Sequence, residues 1–110
     1  MLNAMVDIER FISGMSYGDF LIDNRTTSAV TYKLQVLGEA AKQIPDDIKD
    51  RYPNVAWKEM AGMRDILIHF YFGTDWKLTW KTITQDVPVA RKQIEIILSD
   101  MQPDEPKEID

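Results

Sequence analysis

Three polar side chains set inside an apolar run are where this chain could do chemistry. In Gly62-Met63-Arg64-Asp65-Ile66-Leu67-Ile68-His69-Phe70-Tyr71-Phe72-Gly73, an arginine, an aspartate and the only histidine of the sequence interrupt apolar residues. On a helix turning about 100° per residue, Arg64 falls in the row 57-60-61-64-67-68-71. Every other member of that row is apolar or aromatic. An unpaired guanidinium is costly to bury, so Arg64 needs a carboxylate, an anion or a groove, or else it runs its stem out to solvent. Tyr71 lies seven residues on, close to the same face. His69 follows Asp65 by four and shares another face with it. A carboxylate there holds the imidazole in one tautomer. Gly62, one heptad before His69, leaves that second face open.

Arginine and histidine together suit RNA cleavage without metal. Arginine holds the phosphate and its developing charge, and histidine takes the 2′-hydroxyl proton or gives one to the leaving oxygen. Arg64 and His69 are five apart, however, so on a straight helix they diverge by roughly 140°. A long arginine reach, a distorted helix end or a second copy of the chain would bring them together. A two-fold dimer would supply two histidines and two arginines to one cleft. One histidine and no cysteine make a poor zinc site, Gly62 and Gly73 do not form a phosphate-cradling loop, and no cofactor is implied.

Plainer roles compete for the same residues. Arg64 would serve as a bundle salt bridge to Glu39 or Glu59, His69 as a satisfied structural residue, and Asp65 as a solvated helix charge. Tyr71 would be a core aromatic with its hydroxyl at the edge. Trp57, Trp76 and Trp80 are core or interface residues before they are base-stacking platforms.

The totals bound the rest. The 110 residues fit one domain, and 45% apolar with 28% charged residues is ordinary for a globular chain. With no cysteine, disulfides and thiol chemistry are excluded, and a reducing cytoplasmic location is expected. No apolar run reaches the roughly 18 residues that span a bilayer. The first residues lack the basic and long apolar regions of a signal peptide. A net charge of −5 argues against a broad nonspecific nucleic-acid surface but not against a small basic site. Much of that charge lies in Asp100, Asp104, Glu105, Glu108 and Asp110.

The pattern around the motif is helical. Leu2 to about Met15 is amphipathic and opens without a capping box. Gly14 and Ser16-Tyr17-Gly18-Asp19 end it, and Asp19–Asp23 suits a short helical turn. Asp23 or Asn24 caps a helix over 25–44, whose seam at 30, 34, 37, 41 and 44 steps by four and three. Pro45 stops it, and Pro45-Asp46-Asp47-Ile48 starts a short connecting helix that Pro53 closes. A helix over 56–72 carries the motif and is apolar on several sides, as a central helix is. After Gly73, Thr74 or Asp75 caps a last helix with a stripe at 76, 80, 83, 87, 90, 94, 97 and 101. Pro88 predicts a kink or break near Val87. The expected fold is an all-α up-and-down helical bundle of four to five main helices plus a short connecting helix. The expected domain spans 1–101, with a disordered acidic tail over 102–110.

Arg64, four residues, His69, one residue, Tyr71 resembles the signature of HEPN domains, specifically of the HepT-like toxin family. Gly38-Glu39-Ala40-Ala41-Lys42, Ile44-Pro45, Pro53, Trp57 and Gly62-Met63-Arg64-Asp65 follow that pattern in order. Tyr71-Phe72-Gly73, Trp80 and Asp86-Val87-Pro88 continue it, so the resemblance covers about Ile8 to Leu98. It implies a dimeric helical bundle and a metal-independent endoribonuclease of a bacterial or archaeal toxin–antitoxin pair. Arg64 and His69 would be catalytic at the dimer cleft, with Asp65 and Tyr71 supporting. It also implies an antitoxin of the minimal nucleotidyltransferase type, which can inactivate the toxin by adding AMP to Tyr71. Many HEPN domains carry asparagine where this chain has Asp65; a carboxylate there orients His69 but repels phosphate. The alternative is a non-catalytic nucleotide- or partner-binding subunit of a nucleotidyltransferase pair.

Overall fold

A computed structural model describes residues 1–62 and 75–101, and these form an all-α bundle with no strand among them. The helices are α1 (Leu2–Phe11), α2 (Tyr17–Ile22), α3 (Asn24–Lys42), α4 (Asp46–Arg51), α5 (57–62 of the described residues), α6 (Trp76–Lys81) and α7 (Val87–Met101). A π-helical turn, Thr82–Asp86, joins α6 to α7, so residues 76–101 form one continuous helical rod.

The core follows the sequence periodicity. The α3 seam is carried by Val30, Leu34, Leu37 and Ala41, all buried, with Ile44 packed against them. Ala4, Met5 and Ile8 of α1 face that seam, and Ile83, Val87, Ile94 and Ile97 close it from the rod. Helix α1 therefore lies between α3 and α7. Two ion pairs fix its rotation: Asp7 accepts from Lys33 of α3 at 2.9 Å, and Glu9 pairs with Arg91 of α7. Arg91 also reaches Glu95 at 2.9 Å. The hydrogen bond to Glu9 raises the Arg91 pKa, so the guanidinium stays charged. Half-exposed pairs of this kind contribute little to stability, and their use here is orientational.

Several helix ends differ from the expected ones. The first helix starts uncapped, as expected, but stops at Phe11 rather than near Met15. Gly14 adopts φ +77°, a conformation that favours glycine, and turns the chain. Ser16-Tyr17-Gly18-Asp19 is not a terminator. It is the capping box of α2: Ser16 Oγ accepts from the Asp19 N–H and the Asp19 carboxylate accepts from the Ser16 N–H, both at 3.1 Å. That box places Phe20, fully buried, against Trp80 at 5.2 Å and Trp76 at 5.9 Å between ring centroids. Tyr17 adds a further contact to Trp80 at 6.1 Å.

Asp23 caps α3, as expected, by accepting from the Thr26 N–H at 3.1 Å and the Thr26 hydroxyl at 2.9 Å. The helix it opens ends at Lys42, two residues before the expected limit. Pro45 sits at the N-cap of α4 with Asp46 and Asp47 in its first turn. Pro88 does not break the last helix. The turn before it widens, and the Val87 N–H reaches the Thr82 carbonyl, a five-residue spacing that defines a π turn. Widening relieves the clash a proline ring has with the carbonyl four residues back. The expected tail, 102–110, lies outside the described residues.

Phe20→Ala removes a fully buried ring and should cost about 3–5 kcal/mol in chemical denaturation. Hydrogen bonds from Thr26 hold the Asp23 carboxyl below its ordinary pKa. Its contribution is therefore complete above the unfolded value and fades as pH falls through the folded one. Asp23→Asn keeps a capping oxygen without the charge, so the parent should be more stable near neutral pH and lose that margin below about pH 4, read as melting temperature against pH.

Candidate active site

The motif residues Arg64, Asp65, His69 and Tyr71 lie outside the described residues. Their placement, and any pairing of Arg64 with Glu39 or Glu59, is therefore read from the sequence alone. The structure describes the two shoulders from which residues 63–74 run.

The first shoulder is the start of α5. Trp57 is buried and its indole N–H donates to the Tyr52 carbonyl at 3.0 Å. Val55 and Met60 are buried beside it. The link before α5 is fastened to the rod from the other side: Gln93 Nε2 donates to the Asn54 carbonyl at 3.2 Å, and the Tyr52 hydroxyl donates to Asp100 at 3.4 Å. Trp57 is thus a structural clasp. Helix α5 then runs to Gly62, where a Cβ would meet nothing within 4 Å. The face that Gly62 was expected to leave open beside His69 lies outside the described residues.

The second shoulder is the start of α6. The Asp75 carboxylate accepts from the Leu78 N–H at 3.0 Å, and the Asp75 carbonyl accepts from the buried Thr79 hydroxyl at 3.1 Å. Asp75, one of the two expected caps, therefore sets where α6 begins. Trp76 and Trp80 then lock that end onto Phe20. The indoles are engaged in the core, as the plainer reading of them had it.

Among the described residues, no group of three histidine, cysteine or acidic side chains could hold a metal ion. Sequence reading missed the Tyr52–Trp57 bond and the fastening of the 52–54 link to α7. No periodicity marks a side-chain bond to a loop carbonyl; only the aromatic pair five residues apart hinted at it.

Residues 1–97 match the model of the family described as ribonuclease HepT-like. The chain belongs to this ribonuclease family. A protein of Thermococcus cleftensis provisionally named ribonuclease HepT is 46% identical over 88 residues, covering 80% of each chain. A Methanocaldococcus jannaschii protein provisionally named an RNase is 42% identical over 102 residues, 93% of this chain and 88% of the relative. Another provisionally named RNase, from Caldanaerobacter subterraneus subsp. tengcongensis, is 43% identical over 91 residues, 83% of this chain and 80% of the relative. No solved structure matches the chain. The HepT-like match covers both shoulders and the motif between them, nearly the same stretch as the resemblance read from about Ile8 to Leu98.

Two substitutions probe the shoulders. Trp57→Phe keeps an aromatic ring but deletes the hydrogen bond and part of the buried indole, and should lower unfolding free energy by more than about 1 kcal/mol. Gly62→Ala adds a methyl group into open space within a helix and should raise stability by up to about 1 kcal/mol in the same measurement.

Proposed function

We propose that this chain is an endoribonuclease toxin that cuts RNA without metal at a site shared by two copies. The observation that carries the reading is the HepT-like ribonuclease match over residues 1–97, which includes Arg64, His69 and Tyr71 at the motif spacing. The helical domain is taken as residues 1–101, acting in the cytoplasm.

One imidazole, His69 of one copy, takes the proton of the ribose 2′-hydroxyl as its oxygen forms a bond to phosphorus. The bond from phosphorus to the 5′-oxygen breaks, and that oxygen takes a proton from a protonated imidazole, His69 of the other copy. A cyclic phosphate and a 5′-hydroxyl result. Arg64 holds the phosphate through charge-assisted hydrogen bonds that strengthen as charge accumulates on its oxygens. Asp65, one turn before His69, orients the ring. On a helical wheel Tyr71 falls on the Arg64 side, and adding AMP to its hydroxyl would introduce bulk and negative charge beside the arginine that holds the phosphate. That modification would come from a minimal nucleotidyltransferase antitoxin.

A non-catalytic subunit of such a pair is the second reading. The net charge of −5 and Asp65 in place of the commoner asparagine favour it, because both repel RNA phosphate.

Purified His69→Ala and Arg64→Ala proteins should each lose RNA cleavage in chelator-containing buffer, by about 100-fold or more for one lost acid–base or charge-stabilising group, while helicity by circular dichroism is kept. Parent-like cleavage by His69→Ala would overturn the mechanism. A parent protein without activity that still binds a co-expressed nucleotidyltransferase would favour the second reading. Mixing parent with inactive His69→Ala protein tests the shared site: a mixed pair holds one imidazole, so cleavage should fall roughly as the square of the parent fraction, whereas a proportional fall would mean that each copy works alone.

A further inference from the structure

We infer that a cleft on the described bundle is a docking site for a basic, amphipathic segment of another protein. The cleft has a volume of about 320 Å³ and lies where α3, α5 and the start of α7 meet. Leu37, Met60, Val87 and Ala90 line it with apolar surface, and Glu59 and Asp86 stand on its wall. Both acids are exposed, and neither pairs with a cation among the described residues.

The apolar surface continues out of the cleft. Val89, also on the lining, is 59% exposed, and Ile96 is 60% exposed. They are one heptad apart on α7, about 10 Å along the same face. Between them Gln93 is tied to the Asn54 carbonyl, so this face of α7 is held in place. Single exposed hydrophobics are ordinary; a row leading into an acid-walled recess is a surface with defined complementarity.

Charge selects the occupant. RNA phosphates would be repelled by Glu59 and Asp86. A second copy across a two-fold axis would set the same acids against themselves, within a chain whose net charge is already −5. A segment with apolar residues on one side and lysine or arginine on the other fits both parts: its apolar face covers Val89, Ile96 and the cleft floor, and its cations meet the two carboxylates.

The probe is a fluorescent helical peptide of leucine and lysine in amphipathic order, titrated into the full chain by anisotropy. Hydrogen-exchange protection should fall on residues 54–60 and 86–93. The double variant Glu59→Gln with Asp86→Asn, and separately Val89→Asp, should each weaken binding by about tenfold or more. Asp46→Asn with Asp47→Asn removes the same charge from α4, away from the cleft, and should change binding by less than about twofold, as screened distant charges do. Equal losses from the two double variants would overturn the inference, since only net charge would then matter. So would the absence of peptide binding, equal binding of a leucine–glutamate peptide, or protection of the same residues by a single-stranded RNA oligomer. Conversion of a dimer to a monomer by Val89→Asp in light scattering would make the face a homotypic contact and overturn it equally.

Discussion

Proline 88 sits in the middle of the longest helical stretch and cannot take part in an ordinary α-helical turn, and the bundle is built around the way this is resolved. A break there would divide residues 76–101 into two helices free to diverge. The π turn over Thr82–Asp86 instead absorbs the misfit, with Ile83 within it and Val87 just after it both fully buried. Thr84, inside the turn, donates its hydroxyl to the Trp80 carbonyl at 2.7 Å, so the wider turn does not leave that carbonyl to solvent alone. The rod remains one piece, and both shoulders of the motif hang from it. Its N-terminal end is set by Asp75 and held by the tryptophans on Phe20. Its C-terminal half holds the 52–54 link through Gln93 and Asp100, and the link holds Trp57. The separation of the points where residues 63–74 begin and end is therefore a property of the rod, not of the motif itself.

What was legible in the sequence follows from the range of the interaction concerned. The α3 seam is a repeat of large apolar side chains over four turns, and burial followed it residue for residue from Val30 to Ala41. Asp23 and Asp75 were legible as caps because a carboxylate before a helical stretch bonds the N–H three residues on, a contact within one turn. Ser16 was misread for a related reason. Serine, glycine and aspartate together favour turns, and the same serine and aspartate make a reciprocal cap when three apart; what decides is Phe20, whose burial against Trp76 and Trp80 is a contact some 60 residues away in sequence. The π turn was half legible. Pro88 marks the place, but whether a chain kinks or widens depends on which option keeps the stripe buried. For the site, spacing identified the family and the candidate residues, whereas the relation of Arg64 to His69 rests on a wheel of uniform turns.

The charges of the described bundle divide into two kinds. Asp7 and Glu9 pair with Lys33 and Arg91 and hold α1 in place, and Glu95 pairs with Arg91 within α7. Asp23 and Asp75 cap helices, and Asp46 and Asp47 occupy the first turn of α4, where a helix dipole favours them. Within residues 1–62 and 75–101 the acids exceed the bases by only two, so most of the net charge of −5 comes from the rest of the chain. Glu59 and Asp86 neither cap a helix nor pair with a cation among the described residues, and both line a recess where α5 approaches the rod.

A single histidine per chain constrains any mechanism written for this protein. Cleaving RNA through the 2′-hydroxyl removes a proton at one oxygen and supplies one at another, on opposite sides of the phosphorus. One imidazole can do both only in sequence, crossing from one oxygen to the other, and the intermediate must survive meanwhile. Two imidazoles in opposite protonation states remove that delay. They also predict activity that rises and then falls with pH, because one must be neutral while the other is charged. Asparagine in place of Asp65 would leave a neutral partner beside the ring. If Asp65 meets His69, the carboxylate favours the imidazolium, and the falling limb should then lie at lower pH in Asp65→Asn than in the parent. A shift of that limb with the rising limb also displaced is expected if both copies carry the same Asp65–His69 pair, because one substitution then alters both imidazoles at once.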